Sequence, residues 1–296
     1  MLQELYQLIR DSKIEDIKVK LNSDFEREVF DASIKNLLDA NNDLWLNNFA
    51  YAMREVINVY LANLAADADI SNCHWYKTDL QYQKKYPPGE PNLKGKLTYV
   101  LVGNLPLGYV EKNLKIDFEK KIKELIKSYN TLSKFTHISR KSFRVKDLGV
   151  AKEILEHFHN FMKLIIDIQK ELEEALESSI YDDLGVDELY TDLQAELDTL
   201  STHTTMDDYT IEWVEDVIVD PINCGIVRVD FGGTLSCDLR YGSESDVDRG
   251  DGISSGIGIE FSASLNLQLE NDKWRIAEWL GLDIYTDDFF GGDEQE

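Results

Sequence analysis

The chain has 296 residues, of which 43% are hydrophobic, and its 31 Lys+Arg against 56 Asp+Glu give a formal net charge of −25. That content supports a sizeable core, and no apolar run approaches the roughly 18 residues that a membrane-spanning helix needs. The cysteines Cys73, Cys224 and Cys237 are scattered and form no CxxC pair. They indicate neither a disulfide framework nor a structural zinc site, and a reducing, cytoplasmic setting is expected.

Taken in order, residues 1–66 read as helix. The opening MLQELYQLIRDSKIEDIKVK is amphipathic and lacks the basic start, apolar middle and small-residue cleavage site of a secretory signal. In SDFEREVFDASIKNLLDA, Ser23 is an N-cap with Glu26 three residues later, the pattern of a capping box. Phe25, Val29, Phe30, Ile34, Leu37 and Leu38 then recur at helical spacing. Asn41, Asn42 and Asp43 interrupt them. The next segment, LWLNNFAYAMREVINVYLANLA, is apolar on most sides and is expected at the centre of a bundle. Its Arg54-Glu55 pair must find partners or line a pocket.

Residues 67–110 read as irregular, because Pro87, Pro88, Gly89 and Pro91 forbid a continuous helix. KLTYVLVGNLP is too short to distinguish strand from buried helix by periodicity. Trp75, flanked by His74 and Tyr76, reads as a plug between domains. Helix resumes near Leu114 and ends in the polar THISRKSFRVKD. A long helix is predicted from about Val150 to Ser178, with Ile154, Leu155, Phe158, Phe161, Ile165, Ile168 and Leu172 in one stripe. A shorter one follows with Leu189, Leu193, Leu197 and Leu200.

At STHTTMDDY the period changes to two. Alternation runs through Tyr209–Val219, Val227–Phe231 and Leu235–Tyr241, and most cleanly through Ile257–Leu269. Asn271-Asp272 turns the chain into Lys273–Ile276. The prediction is an α+β protein: a mainly helical domain over 1–200, an antiparallel β-meander over 201–283, and an acidic, disordered tail over 284–296.

Charge divides the chain in a similar place. Residues 1–160 hold 24 Lys+Arg and 22 Asp+Glu, which leaves 7 and 34 for residues 161–296, a net −27. The second half repels nucleic acid. The segment 111–146 is basic enough to attract it, or the asymmetry serves solubility alone.

Two stretches carry candidate chemistry. The loop RYGSESDVDRGDGI, between two well-patterned strands, is longer than the two to five residues a hairpin usually takes. Asp246, Asp248 and Asp251 in it are candidate ligands for Mg²⁺ or another divalent cation, with Asp246 and Asp251 as catalytic candidates. An EF-hand is excluded, since Gly250 is an extra residue, Glu260 comes late and no helix flanks the loop. No Glu-x-Lys stands on a strand to complete a restriction-type site, and Asp and Gly also suit a plain turn. The second stretch, YNTLSKFTHISRKSFRVK, interleaves Lys134, Arg140, Arg144 and other cations with Phe135 and Phe143 around His137. Basic and aromatic residues hold phosphates and stack bases, and His137 is a candidate acid or base in RNA cleavage. The R-x(4–6)-H spacing of helical HEPN ribonucleases is missing, though Arg54 could supply the arginine across the bundle. A solvated helix end is the plainer account of His137. His157 and His159, at i and i+2 on a helix, cannot share a metal from one face.

The helix NNFAYAMREVINVYLANL, the turn CHWYK followed by YNTLSKFTHI, and LRYGSESDVDRGDG occur here in the order that resembles the bacterial family of predicted pPIWI-associating nucleases. The resemblance spans roughly residues 25–275. It is carried most specifically by Gly242, Ser243, Ser245, Asp246, Arg249, Gly250, Asp251 and Gly252, while Asp248 stands where a basic residue is expected. It implies a nuclease or nuclease-like effector in a prokaryotic genome-conflict system, acting with a protein partner. Two readings stand beside it: a non-enzymatic acidic adaptor or inhibitor, and a helical HEPN-like ribonuclease using His137 with Arg54 or Arg140.

Overall fold

The computed structural model describes residues 2–39, 41–78, 91–138, 147–184, 187–200, 204–220, 223–241, 245, 249–250 and 253–285. The chain divides into two compact units, Met1–Leu172 and Glu173–Glu296.

The first unit is helical. It comprises α1 (Leu2–Asp11), α2 (Ile14–Val19), α3 (Asp24–Leu38), α4 (Trp45–Leu64), α5 (Asp67–Asn72), α6 (His74–Thr78), α7 (Leu93–Val102), α8 (Leu107–Lys112), α9 (Phe118–Thr136) and the first part of α10 (Leu148–Leu184). The capping box forms as expected: Glu26 N donates to Ser23 Oγ at 3.2 Å and Ser23 N to Glu26 Oε2 at 3.3 Å. Glu26 is fully buried yet well supplied, since Asn22 N (2.6 Å) and Asn63 Nδ2 (2.6 Å) also donate to it. Buried carboxylates persist when their lone pairs are met in this way. The buried stripe of α3 runs through Glu26, Phe30, Ser33 and Leu37. Phe25 is excluded from it and 60% exposed, because the cap pins the helix phase one residue on. α4 is the central helix and packs against α3, α7 and α9. Trp45, Phe49, Met53, Val56 and Ile57 are all buried along it.

Residues 67–110 prove more helical than their prolines suggested. The apolar run LTYVL belongs to α7, capped by Asn92 Oδ1, which accepts from Gly95 N at 3.0 Å. Trp75 is a packing residue of the helical unit. It lies against Ala65, Ile70 and Cys73, and its Nε1 donates to the Gly103 carbonyl at 2.9 Å. The proline-rich stretch and residues 139–146 lie outside the described residues.

The second unit joins the end of α10 and α11 (Asp187–Leu200) to a four-stranded antiparallel sheet in the order β1-β2-β3-β4. The strands are β1 (Thr204–Val219), β2 (Ile226–Tyr241), β3 (Ile253–Glu270) and β4 (Lys273–Tyr285). The meander is the one the alternation predicted. One face is buried through Val227, Val229, Phe231, Leu235 and Cys237 of β2 and Ile259, Phe261, Leu265 and Leu267 of β3. Helix residues Ile180, Leu184, Leu189, Leu193 and Leu197 are buried in the same unit. Polar ties fix the helices to the strands: Tyr209 Oη donates to Leu184 O at 3.0 Å, Trp274 N to Asp183 Oδ2 at 2.8 Å, and Trp279 Nε1 to Asp192 Oδ2 at 2.8 Å. The acidic tail beyond Tyr285 lies outside the described residues.

Where β1 crosses β2, the backbones approach unusually closely. A Cβ on Gly233 would lie 1.8 Å from the Thr210 carbonyl oxygen, and one on Gly232 would lie 2.5 Å from the Trp213 ring. The register of β1 shifts between Ile211 and Trp213, a bulge that lays the indole on Gly232.

Candidate nucleic-acid site

Helix α4 carries a polar stripe at Asn47, Tyr51, Arg54 and Asn58, spaced four, three and four residues apart. That spacing places all of them on one helical face. The partner across this face is α9. Tyr129 Oη donates to Asn58 Oδ1 at 2.8 Å. At the other end of the stripe, Asn47 Nδ2 donates to the carbonyl of Phe135 at 2.8 Å and to that of His137 at 3.4 Å. The two helices therefore run antiparallel along this seam, and Arg54 stands between the Tyr129 end and the His137 end.

Arg54 is the charged centre of the seam. Its side chain is 24% exposed, its guanidinium lies 3.6 Å from Glu55 Oε1, and it covers the Tyr51 ring at 5.4 Å from the centroid. Asn58 Nδ2 also donates to Glu55 Oε1, at 3.2 Å. Arg54 Nε is buried and meets no acceptor among the described residues. A buried guanidinium donor without an acceptor is costly, and an anion oxygen would relieve that cost. The Asn47 Oδ1 acceptor at the other end of the seam is likewise buried without a donor. Tyr129 is pushed above its ordinary pKa by burial first; the Arg54 charge and the Asn58 hydrogen bond oppose the shift and Glu55 adds to it. Tyr129 is thus a phenol that donates at neutral pH rather than a base.

His137 caps the C-terminal end of α9 and is exposed. Asn47 holds its backbone, so the imidazole leaves the helix from a fixed point. Lys134 lies exposed in the last turn of the same helix. The structure thus brings Arg54 and the His137 backbone to one seam, with Lys134 exposed on the same helix as His137. Arg140 and Arg144 lie outside the described residues. On α10, His157 Nε2 lies 3.8 Å from Glu153 Oε1, a pairing within one helix face.

The sequence pattern alone had singled out Arg54 and His137 but not Asn47, Asn58 or Tyr129. The available signal was the run of polar residues at helical spacing in a mostly apolar helix.

In the second unit, the register Tyr241↔Ile253 closes the β2–β3 pairing on either side of residues 242–252, of which Ser245 and Arg249 are helical. Asp246, Asp248 and Asp251 lie outside the described residues. Gly250 adopts φ +80°, a left-handed turn conformation that suits glycine. Among the described residues, no group of three or more His, Cys, Asp or Glu is arranged to hold a metal ion. No helix among them is long and apolar enough to cross a membrane.

Comparison with known families gives two matches that together cover nearly the whole chain. Residues 18–161 and residues 165–290 each match a family model described as predicted pPIWI-associating nuclease. No curated protein and no solved structure matches.

Proposed function

Because the chain belongs to the predicted pPIWI-associating nucleases, we propose that it is a nuclease-family effector of a prokaryotic defence system, working with a protein partner and holding nucleic-acid phosphate at Arg54. The observation that carries this reading is the half-buried guanidinium with an Nε donor that no atom of the described residues accepts. A phosphate oxygen satisfies such a donor with a charge-assisted hydrogen bond. Lys134, Arg140 and Arg144 extend the positive field along the strand, and phosphate contacts of this kind supply most of the affinity for nucleic acid. His137, anchored through its backbone by Asn47, carries the proton in cleavage; its imidazole is the side chain suited to that role near neutral pH.

A second reading is favoured by one observation, the long hairpin loop between Tyr241 and Ile253. Asp246, Asp248 and Asp251 supply hard oxygen ligands, the donor set that suits Mg²⁺. In that reading the cation activates water and the helical seam positions the substrate.

A cleavage assay separates the two. Labelled single- and double-stranded DNA and RNA are incubated with the full chain and its partner, in EDTA, Mg²⁺ or Mn²⁺. Cutting that survives EDTA and is lost in His137→Ala places the chemistry on the helical unit. Metal-dependent cutting lost in Asp246→Ala/Asp251→Ala places it on the loop, with Arg54→Gln weakening substrate binding in either case. No cutting under any condition, with binding unchanged in Arg54→Gln, contradicts both.

A further inference from the structure

The sheet of the second unit has one face packed and one face bare, and the bare face has a definite chemistry. Cross-strand register puts Trp213, Gly232, Ser262 and Asp283 in one row across the four strands. The next row is Glu215, Asp230, Ser264 and Gly281. Except for Gly232, these residues line a concavity of about 230 Å³ together with Asp216. Its floor is low at Gly281, where no atom lies within 4 Å of the missing side chain. The Trp213 indole lies over Gly232 on one side, and Asp283 stands on the edge strand β4 on the other.

Glu215 and Asp230 are directly opposed, an arrangement that destabilises a sheet. Ser264 Oγ donates to Asp230 at 2.5 Å and Thr234 Oγ1 to Glu212 at 2.6 Å, while Glu215 and Asp283 stay exposed. Arg228 approaches Asp230 only at 4.0 Å. Apolar anchors stand among the carboxylates: Trp213 is 38%, Ile218 57% and Tyr285 53% exposed.

Charge decides what can cover this face. Nucleic acid is repelled by it. A second copy in a two-fold dimer would set the same carboxylates against each other. A basic protein surface is complementary in charge, and arginine fits best, since its guanidinium both stacks on an indole and binds carboxylate through two parallel hydrogen bonds. We infer that the bare face of the sheet is a docking surface for an arginine-bearing extended segment of a protein partner, with Trp213 as the stacking anchor and Glu215 and Asp283 as the charge contacts. The inference rests on the partner-dependent reading above for the occupant being a protein, and goes beyond it in the surface and the chemistry.

The test measures binding of a fluorescent peptide of alternating arginine and serine to the full chain, beside the matching lysine–serine peptide. Glu215→Gln/Asp283→Asn removes two charges from the face. Asp182→Asn/Glu196→Gln removes two from exposed helical positions of the same unit. The expected result is a loss of about tenfold or more for the face variant and about twofold or less for the helical control. Arginine is preferred over lysine, and the preference disappears in Trp213→Ala. Equal losses in the two charge variants would mean attraction by net charge alone and would overturn the proposal, as would no loss in either. Binding of an oligonucleotide at this face, or self-association through it, would also overturn it. The carboxylate changes are isosteric and solvent-exposed, so the charge comparison stands even if Trp213→Ala disturbs the sheet. Arg54 lies in the other unit, so failure here leaves the nucleic-acid reading intact, and nucleic-acid binding unchanged in Arg54→Gln leaves this one intact.

Discussion

At the scale of single residues, Arg54 and Glu26 make opposite use of burial. Glu26 is buried with donors on both oxygens, so its removal takes an acceptor from Asn63 and from the backbone N–H groups of Asn22 and Ser23 together. Glu26→Ala should lower stability by about 1–3 kcal/mol, read as a shifted denaturant midpoint with unchanged slope. Arg54 keeps a donor that the described residues leave unmet, which suits a group that meets something outside the fold. Arg54→Gln should therefore cost little stability and much nucleic-acid affinity, a split that a structural ion pair would not produce. Cys237 gives a third residue-scale expectation. Burial in the sheet, with the Asp207 charge second, pushes its thiol up to about 11. It should resist alkylation at pH 8 in the native protein and react only after unfolding, because the thiolate is the nucleophile. Rapid native labelling would show that the sheet opens there.

At the scale of elements, the close crossing of β1 and β2 tests the sheet. Gly233→Ala would drive a Cβ into the Thr210 carbonyl, and a backbone atom cannot rotate away. The expected cost is about 3 kcal/mol or more, seen as a loss of the strand signal and cooperative melting of the second unit. A neutral result would mean the bulge at Trp213 relaxes freely. The elements also show which parts of the fold could be read in advance. The β-meander was legible because a half-buried strand must alternate, and Ile257–Leu269 alternates almost without error. The capping box was legible because Ser23 and Glu26 sit at the spacing that hydrogen bonding requires. Residues 67–110 were harder: α5, α6 and α8 are too short for periodicity, and their packing in the bundle overrides weak local preference. Of the candidate site, Arg54 and His137 were visible as chemical types. Their shared seam was not, because Asn47 reaches a carbonyl on α9 far along the chain, and no local pattern records such a contact.

At the scale of the whole molecule, charge governs behaviour. The carboxyl of Glu177 on α10 is raised by burial first, then by the charges of Glu173, Glu174 and Glu215. A carboxyl whose native pKa lies above its unfolded value takes up its proton first in the native state. The native state then gains stability as pH falls from neutral through that raised pKa, and the gain levels off at the ordinary carboxylate range. The melting temperature of the second unit should accordingly rise between pH 7.5 and about pH 5, and Glu177→Gln should flatten that rise. A melting temperature that falls over the same window would contradict the assignment. The excess of acid in residues 161–296 also means that nucleic acid, if it binds, binds elsewhere, and the half-buried arginine of the helical unit is where the account puts it. The most direct test is the equilibrium affinity of the full chain for labelled single- and double-stranded DNA and RNA, comparing wild type with Arg54→Gln at matched salt and confirmed fold. The account predicts binding weakened about tenfold with a shallower salt dependence in the variant. Identical affinity and identical salt dependence would contradict it.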